Sequence, residues 1–250
     1  MTLAYDLSDP LTLLGGLPFL DEGFAAKRLL AGVAAARHVT AEAEGKADGI
    51  TDRAVETWLG PSRALLLAGG RSIPAIPLLP EQKSQVTATL QELGSLIPAW
   101  VSLIALPIRY GSLYPATGAI SASSRAWPQH VLLSDEAFAT PVELREQITH
   151  ELSHQWLYLI EELWRIELPS AQPVTLPSGT ANRSPSEVVG AAHVATVLTR
   201  LYTATGDAPE GRLEKLAIYR AGCLTLLDQV ADDLTDLGRD IARHLKEAHE

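Results

Sequence analysis

Apolar residues recur at every fourth position between residues 144 and 160, and this pattern predicts the helix around which the chain is organised. The stripe consists of Leu144, Ile148, Leu152, Trp156 and Ile160. Residues four apart share one face of an α-helix, so this face is expected to pack against the core. Thr140 is a suitable N-cap, Pro141 suits the first helical position and Glu143 is placed to complete a capping box. We therefore predict one long helix over residues 141–166.

The hydrophobic pattern elsewhere predicts further helices and a few short strands. Helical periodicity covers residues 22–45, 52–68, 81–94, 184–205, 209–230 and 235–248. Short apolar runs of strand-like length occupy residues 101–108, 118–122 and 130–133. Prolines break the pattern at 73–80 and again at 168–179, while residues 1–21 have the turn signals of an irregular arm.

Together these elements predict an α+β fold that is mostly helical. The motif-bearing helix is expected to lie against a small sheet of two to four strands, with a helical C-terminal part after it. We expect a single domain over residues 1–250, with a helical N-terminal part (1–100) and a part that carries the functional site (101–250).

Composition narrows the classes of partner. The 250 residues are 46% hydrophobic, which is enough for a full core. The net charge of −10 disfavours nucleic acid as a partner. The single cysteine, Cys223, excludes an intrachain disulfide and sits in an apolar helical pattern, so we predict a small core residue. The N-terminus has no basic segment and no apolar run reaches about 18 residues, so we expect no membrane span and a cytoplasmic location.

The predicted central helix carries the motif His-Glu-x-x-His. His150 and His154 are four residues apart, so both imidazoles lie on one helical face and can bind one metal ion. Glu151, between them, can reach a water molecule on that metal. A chance pair of buried histidines is the alternative, but the capped amphipathic helix favours a metal site.

A catalytic metal needs a third protein ligand, for which Glu187 and His193 are the main candidates and another residue stays open. Glu187 lies at the start of the next long helix and could reach the metal if the helices cross. It is also the third residue after Ser184, which is where a purely structural capping-box glutamate belongs. His193 is six residues later and points to another side of the same helix, so it is an alternative ligand rather than a second one. Of the other histidines, His130 is expected in a strand near the cleft, and His38, His244 and His249 at the surface.

Three further segments of the sequence, together with the motif, resemble segments of one protein family. They are residues 24–30 (FAAKRLL), 182–193 (NRSPSEVVGAAH) and 233–239 (DLTDLGR). Taken with the motif, they resemble the HExxH-motif proteins of bacterial peptide-modification clusters, described as 2-oxoglutarate-dependent peptide β-hydroxylases. The partner motifs of the familiar zinc peptidases, Asn-Glu or Gly-Met-x-Asn, are not visible in the chain.

The resemblance implies an oxygenase that uses Fe(II) and 2-oxoglutarate to hydroxylate an amino-acid or peptide side chain. Two histidines and one carboxylate form the facial triad of such enzymes and leave room for 2-oxoglutarate and O₂. The distal carboxylate of 2-oxoglutarate would need an arginine fork. Arg183, just before the helix that carries Glu187, is the first candidate, and Arg125, between two predicted strands, is the second.

Two other functions remain open from the residues alone. A zinc-dependent metallopeptidase would use Glu151 as the general base that activates zinc-bound water. A binding protein could have kept the helix without catalysis. The sequence names no particular substrate and does not indicate an oligomeric state.

Overall fold

The computed structural model describes residues 9–45, 56–70, 72–73, 75–113 and 118–248. The helices in chain order are α1 (Pro10–Leu14), α2 (Ala26–Ala43), α3 (Pro61–Leu67), α4 (Pro80–Leu96), α5 (Val101–Ile104), α6 (Pro141–Glu161), α7 (Pro185–Thr205), α8 (Arg212–Gln229) and α9 (Asp236–Glu247). The strands are β1 (Ala75–Pro77), β2 (Arg109–Leu113), β3 (Ser121–Ala122) and β4 (His130–Leu133). The predicted fold class, α+β and mostly helical, is confirmed.

The chain divides into two compact units. The first, which we call the motif unit, is Ala26–Leu163, and the second, the terminal unit, combines Met1–Ala25 with Trp164–Glu250. The boundaries between these units follow residues 25 and 163. The expectation of one domain over the whole chain stays a prediction.

The sheet belongs to the motif unit and has the strand order β1-β2-β4-β3. The pair β2–β4 is parallel, and β1 and β3 each pair antiparallel with their neighbour. The predicted strand at 101–108 is wrong, because residues 101–104 form α5 and the strand begins only at Arg109. Pro98 starts a helical turn, and the buried residues Trp100 and Leu103 follow at helical spacing. A short apolar run fits a buried helix and a strand equally well, and here packing selects the helix.

The motif helix α6 begins where it was predicted, because Thr140 Oγ1 accepts a hydrogen bond from the Glu143 N–H at 3.0 Å. The Glu143 carboxylate bonds to the Gln147 amide at 2.8 Å. The helix ends at Glu161, five residues before the predicted end. Every residue of the apolar stripe is buried, as expected: Leu144, Ile148, Leu152, Trp156 and Ile160. This face packs the helix against the sheet and against α2 and α4.

A buried arginine ties α2 to the end of the motif helix. Arg37 Nε and Nη2 donate to the Glu162 carboxylate at 2.7 and 2.6 Å. Its Nη1 donates to the Trp58 carbonyl at 2.8 Å and to Gln129 Oε1 at 2.6 Å. The guanidinium is therefore both paired and hydrogen-bonded, which is the arrangement in which a charge is tolerated inside a protein.

Gln129 continues this polar network up to the start of β4. Its backbone has a φ of 59°, a left-handed conformation that is uncommon for a residue other than glycine. Its Nε2 donates to the carbonyls of Leu59 and Pro107 at 2.5 and 2.8 Å. Its backbone N–H donates to Gln155 Oε1 at 2.7 Å, so the network also reaches the middle of α6.

The terminal unit packs α7 against α8 and α9, and α1 against α9. Cys223 is fully buried in α8, which confirms it as a core residue. The short helix α1 was not predicted; Asp9 caps its start and Gly15, with a φ of 72°, ends it. His244, expected at the surface, is only partly exposed and lies 2.7 Å from the Asp21 carboxylate.

The prediction that His38 lies at the surface is wrong, and the same prediction for His249 is not tested. His38 is only 6% exposed and packs edge-on against the Trp58 ring in the motif unit. It follows Ala34 by four residues and precedes Ala41 by three, so it shares their buried helical face. His249 lies outside the described residues.

Within the described ranges, no helix combines the length and the apolar character that crossing a membrane requires.

Candidate metal centre

The two motif histidines lie side by side on one face of α6. Their ring centroids are 4.9 Å apart and the ring planes are inclined by 62°. The His150 side chain is 36% exposed, and His154 is partly buried. The predicted placement on one face is confirmed, and two accessible imidazoles at this spacing fit two ligand positions of a divalent transition metal.

Glu151 is buried directly behind this pair and is held from the sheet. Ser121 Oγ, in β3, lies 2.6 Å from Glu151 Oε1 and 2.6 Å from Gln147 Oε1. Glu151 Oε1 is 4.0 Å from His150 Nε2. Its second oxygen, Oε2, is buried and has no hydrogen-bond partner among the residues that the structure describes.

An unpartnered buried carboxylate oxygen costs about 1–3 kcal/mol or more when it is charged, so native proteins rarely keep one without a use. Beside two imidazoles, this oxygen fits the donor chemistry expected around a bound cation or its water. Yet across the described ranges no three His, Cys, Asp or Glu residues are grouped so as to hold one metal ion. The residues present therefore fit two ligands, and the third ligand stays a prediction.

Tyr158, one helical turn after His154, extends the site along α6. Its ring stacks on the His154 ring with centroids 5.9 Å apart and planes inclined by 13°. Burial raises the pKa of Tyr158, and the negative charge of Glu151 raises it further, so the phenol stays neutral at ordinary pH. The sequence reasoning missed this residue, although it continues the four-residue spacing of His150 and His154.

Arg125 contacts Tyr158 from the loop between β3 and β4, where it was expected. Its Cζ is 5.8 Å from the centre of the Tyr158 ring. Its Nε forms an ion pair with Glu161 Oε2 at 2.5 Å. Arg125, Tyr158 and Glu161 line a cavity of about 350 Å³ in the motif unit, together with Arg37 and Glu162. His154, Tyr158 and Arg125 thus form a series of contacting side chains, of which Tyr158 and Arg125 line the cavity.

Glu187 and Arg183, the other two predicted site residues, belong to the terminal unit and contact each other. Glu187 Oε1 accepts from Arg183 Nη1 at 2.7 Å, and its Oε2 accepts from the Ser184 N–H at 2.8 Å. This is the complete capping box of α7, the structural role that the sequence left open for Glu187. A role as metal ligand would require the carboxylate to leave these partners.

His193, the alternative ligand, is fully buried in α7. Its Nε2 lies 2.9 Å from the Pro18 carbonyl, so the neutral imidazole donates a hydrogen bond there. Burial lowers its pKa from the usual 6.5 to about 4. His130 is a buried residue of β4, as predicted for a strand, with Nδ1 2.9 Å from the Pro128 carbonyl.

The structure thus brings His150, Glu151, His154 and Arg125 into one unit and adds Ser121, Tyr158 and Glu161, which sequence reasoning did not single out. A comparison with models of known protein families found no match, and a search of curated proteins also found none. The family resemblance of the motif segments therefore stays a prediction.

Proposed function

We propose that the chain is a non-haem Fe(II)- and 2-oxoglutarate-dependent oxygenase that hydroxylates an amino-acid or peptide side chain. The observation that supports this proposal is the series His154–Tyr158–Arg125, which links the histidine pair to a cavity. An enzyme of this class needs a metal-binding pair beside a cavity, and a guanidinium that can bind the far carboxylate of the co-substrate.

In this proposal His150 and His154 would bind the iron, and the third ligand, for which the sequence offered Glu187 or His193, stays a prediction. Arg125 would bind the distal carboxylate of 2-oxoglutarate, whereas Arg183, the first candidate from the sequence, bonds to Glu187 in the capping box of α7. A guanidinium presents its N–H donors in a planar fork that matches a carboxylate, and Arg125 already forms an ion pair with Glu161. That ion pair would also fix the orientation of the guanidinium plane.

Iron with 2-oxoglutarate would supply the oxidation: O₂ gives one oxygen atom to a substrate C–H bond and one to succinate, with release of CO₂. The protein's own residues would orient the reactants. Tyr158 holds the His154 ring by stacking, and Ser121 holds the Glu151 side chain against the sheet. The buried apolar stripe of α6 keeps water from the back of the site.

A zinc-dependent metallopeptidase is the second candidate, because one observation favours it. Glu151 Oε1 lies 4.0 Å from His150 Nε2, and Oε2 has no partner within the described part of the chain. A carboxylate at that position could act as the general base for a water molecule. In that case Glu151 would be essential, whereas an oxygenase requires no proton transfer from it.

The experiment that tests the proposal measures succinate formed by the full-length chain with Fe(II), 2-oxoglutarate and a peptide mixture. Glu151→Gln keeps the shape of the side chain but removes the base. The oxygenase should keep substantial turnover in Glu151→Gln, and His150→Ala should lose both the bound metal and the turnover. His244→Ala, which changes a histidine outside the motif, is the matched control and should retain the metal.

The same proteins are assayed with Zn(II) for peptide cleavage. The peptidase would replace the oxygenase if zinc supported peptide cleavage, Glu151→Gln lowered the cleavage rate by about 10²-fold or more, and no variant formed succinate. Full metal binding by His150→Ala would exclude the motif as the metal centre in both functions.

A further inference from the structure

The terminal unit contains a second cavity that belongs to neither candidate function. Its volume is about 310 Å³, and α7 and α8 provide most of its wall. Its polar lining residues are Thr196, Thr199, Arg200, Thr203 and Arg220. None of the described residues that line it is acidic, although the chain as a whole carries a net charge of −10.

Arg220 is the unusual residue of this wall, since it is only 5% exposed. Its Nε donates to Thr196 Oγ1 at 2.9 Å and its Nη2 donates to the Leu245 carbonyl. These contacts use two of its five N–H donors. No carboxylate among the described residues pairs with it, and burial lowers its pKa from the usual value. A buried cation without a counter-charge is costly, so an anion in the cavity would relieve it.

Arg200 places a second guanidinium on the same wall. It is half-buried, and its Nη1 donates to the Leu20 carbonyl. Within the described residues it too lacks an acidic partner. Arg200 follows Thr196 by one helical turn, so both face the cavity from one side of α7.

The threonines contribute acceptors rather than donors. The hydroxyl of Thr196 donates to the Ala192 carbonyl at 2.8 Å, and the hydroxyls of Thr199 and Thr203 bond in the same way to carbonyls of their own helix. Because its proton is used there, Thr196 Oγ1 is free to accept from Arg220 Nε and so fixes the plane of that guanidinium. The donors available to a ligand are therefore those of the two arginines.

Capping of α9 explains part of this arrangement. Leu245 lies in the last turn of α9, and a cation at the C-terminus of a helix is stabilising. A cap accounts for the Arg220 contact with Leu245, but it accounts for neither the second arginine nor the open volume beside the two.

We propose that the cavity lined by Arg200 and Arg220 binds a small oxyanion, namely a carboxylate or phosphate group. The planar guanidinium fork matches two oxygens of either group. This site is independent of the proposed oxygenase or peptidase function, because none of its described lining residues is a candidate residue of the metal centre.

The test is calorimetric titration of the full-length chain with inorganic phosphate in one arm and succinate in another, each against chloride at equal ionic strength. We expect saturable binding in at least one arm, and the stronger arm identifies the chemical class. Arg200→Gln should weaken the binding about tenfold or more, since it removes charge-assisted hydrogen bonds. Arg220→Lys, which keeps the charge and loses the fork, should weaken it as well.

Two controls make the result decisive. Arg243→Gln changes an exposed arginine that pairs with Asp240, and it should bind like the unchanged chain. His150→Ala should also bind normally if the anion occupies this cavity. If His150→Ala lost the anion binding while Arg200→Gln kept it, the anion would bind at the candidate metal centre and the proposal would be overturned. The absence of saturable binding in both arms would overturn it too.

Discussion

Replacement of Gln155 by methionine tests whether the polar anchor between α6 and β4 stabilises the motif unit. Gln155 Oε1 accepts from the Gln129 N–H at 2.7 Å, and its Nε2 donates to the His130 carbonyl at 3.2 Å. The side chain is fully buried, and it neighbours His154 in the motif helix. Methionine has nearly the same shape, so the substitution removes the two hydrogen bonds without opening a large cavity.

The expected cost follows from the groups left behind. The Gln129 N–H becomes a buried donor without its acceptor, which costs about 1–3 kcal/mol. The lost bond to the His130 carbonyl adds about 0.5–1.5 kcal/mol. We therefore expect Gln155→Met to lower the free energy of unfolding by about 1.5–4.5 kcal/mol. For a chain of this size, that corresponds to a fall in Tm of at least about 3 °C.

Unfolding followed by tryptophan fluorescence is a suitable assay, because the buried residues Trp58, Trp100 and Trp156 all lie in the motif unit. Gln91→Met, at an exposed position of α4, is the matched control and should change the free energy of unfolding by less than about 0.5 kcal/mol. If Gln155→Met were as stable as this control, the two hydrogen bonds would contribute nothing and the argument would fail.

Three further predictions concern other buried polar groups. Burial lowers the pKa of His193 from 6.5 to about 4, so as the pH falls the unfolded chain takes up a proton on this side chain before the folded chain does. The contribution of the neutral imidazole to the free energy of unfolding is therefore complete above pH 6.5 and should fall by about 3 kcal/mol as the pH drops toward 4. His193→Gln keeps a donor for the Pro18 carbonyl and should flatten this dependence in urea unfolding at several pH values; an equal slope in both proteins would contradict the assignment. Burial raises the pKa of Cys223 to about 11, so a disulfide reagent near pH 8 should react with it only after denaturation, and rapid reaction of the folded chain would be the contrary result. Arg37→Met removes the cation that pairs with the partly exposed Glu162 carboxylate and leaves the buried Gln129 Oε1 without this donor, so it should cost about 1–3 kcal/mol in chemical denaturation; a loss below about 0.5 kcal/mol would show that the network is dispensable.

The motif helix could be predicted because its signals are local. The apolar stripe fixes the buried face of α6, and the Thr140 cap fixes its first turn. Its end was placed too late because Leu163, Trp164 and Ile166 continue the apolar spacing after the chain has left the helix. The run at 101–108 was ambiguous for the opposite reason: it is too short for its period to distinguish a helix from a strand.

The histidine pair followed from spacing alone, but its surroundings did not. Ser121 and Arg125 reach α6 from a loop and a two-residue strand, so only the tertiary fold places them there. His38 was assigned to the surface as a single polar residue, although Ala34 and Ala41 at helical spacing indicate a buried face. Tyr158 could have been found by extending the series of His150 and His154 by one more turn.

The Arg37–Gln129 network has a consequence for how fast the motif unit unfolds. Its bonds join residues far apart in the chain: 92 positions separate Arg37 from Gln129, 125 separate Arg37 from Glu162, and 70 separate Gln129 from Leu59. Such contacts can form only after long loops have closed, so we expect them to be absent from the folding transition state.

Substitutions in the Arg37–Gln129 network should therefore leave the folding rate nearly unchanged and accelerate unfolding. A denaturant-jump series on Arg37→Met would show this as a displaced unfolding arm, and a slowed folding arm would refute it. On this reasoning, the polar network governs how long the folded motif unit persists once made, and it has little influence on how quickly that unit is reached.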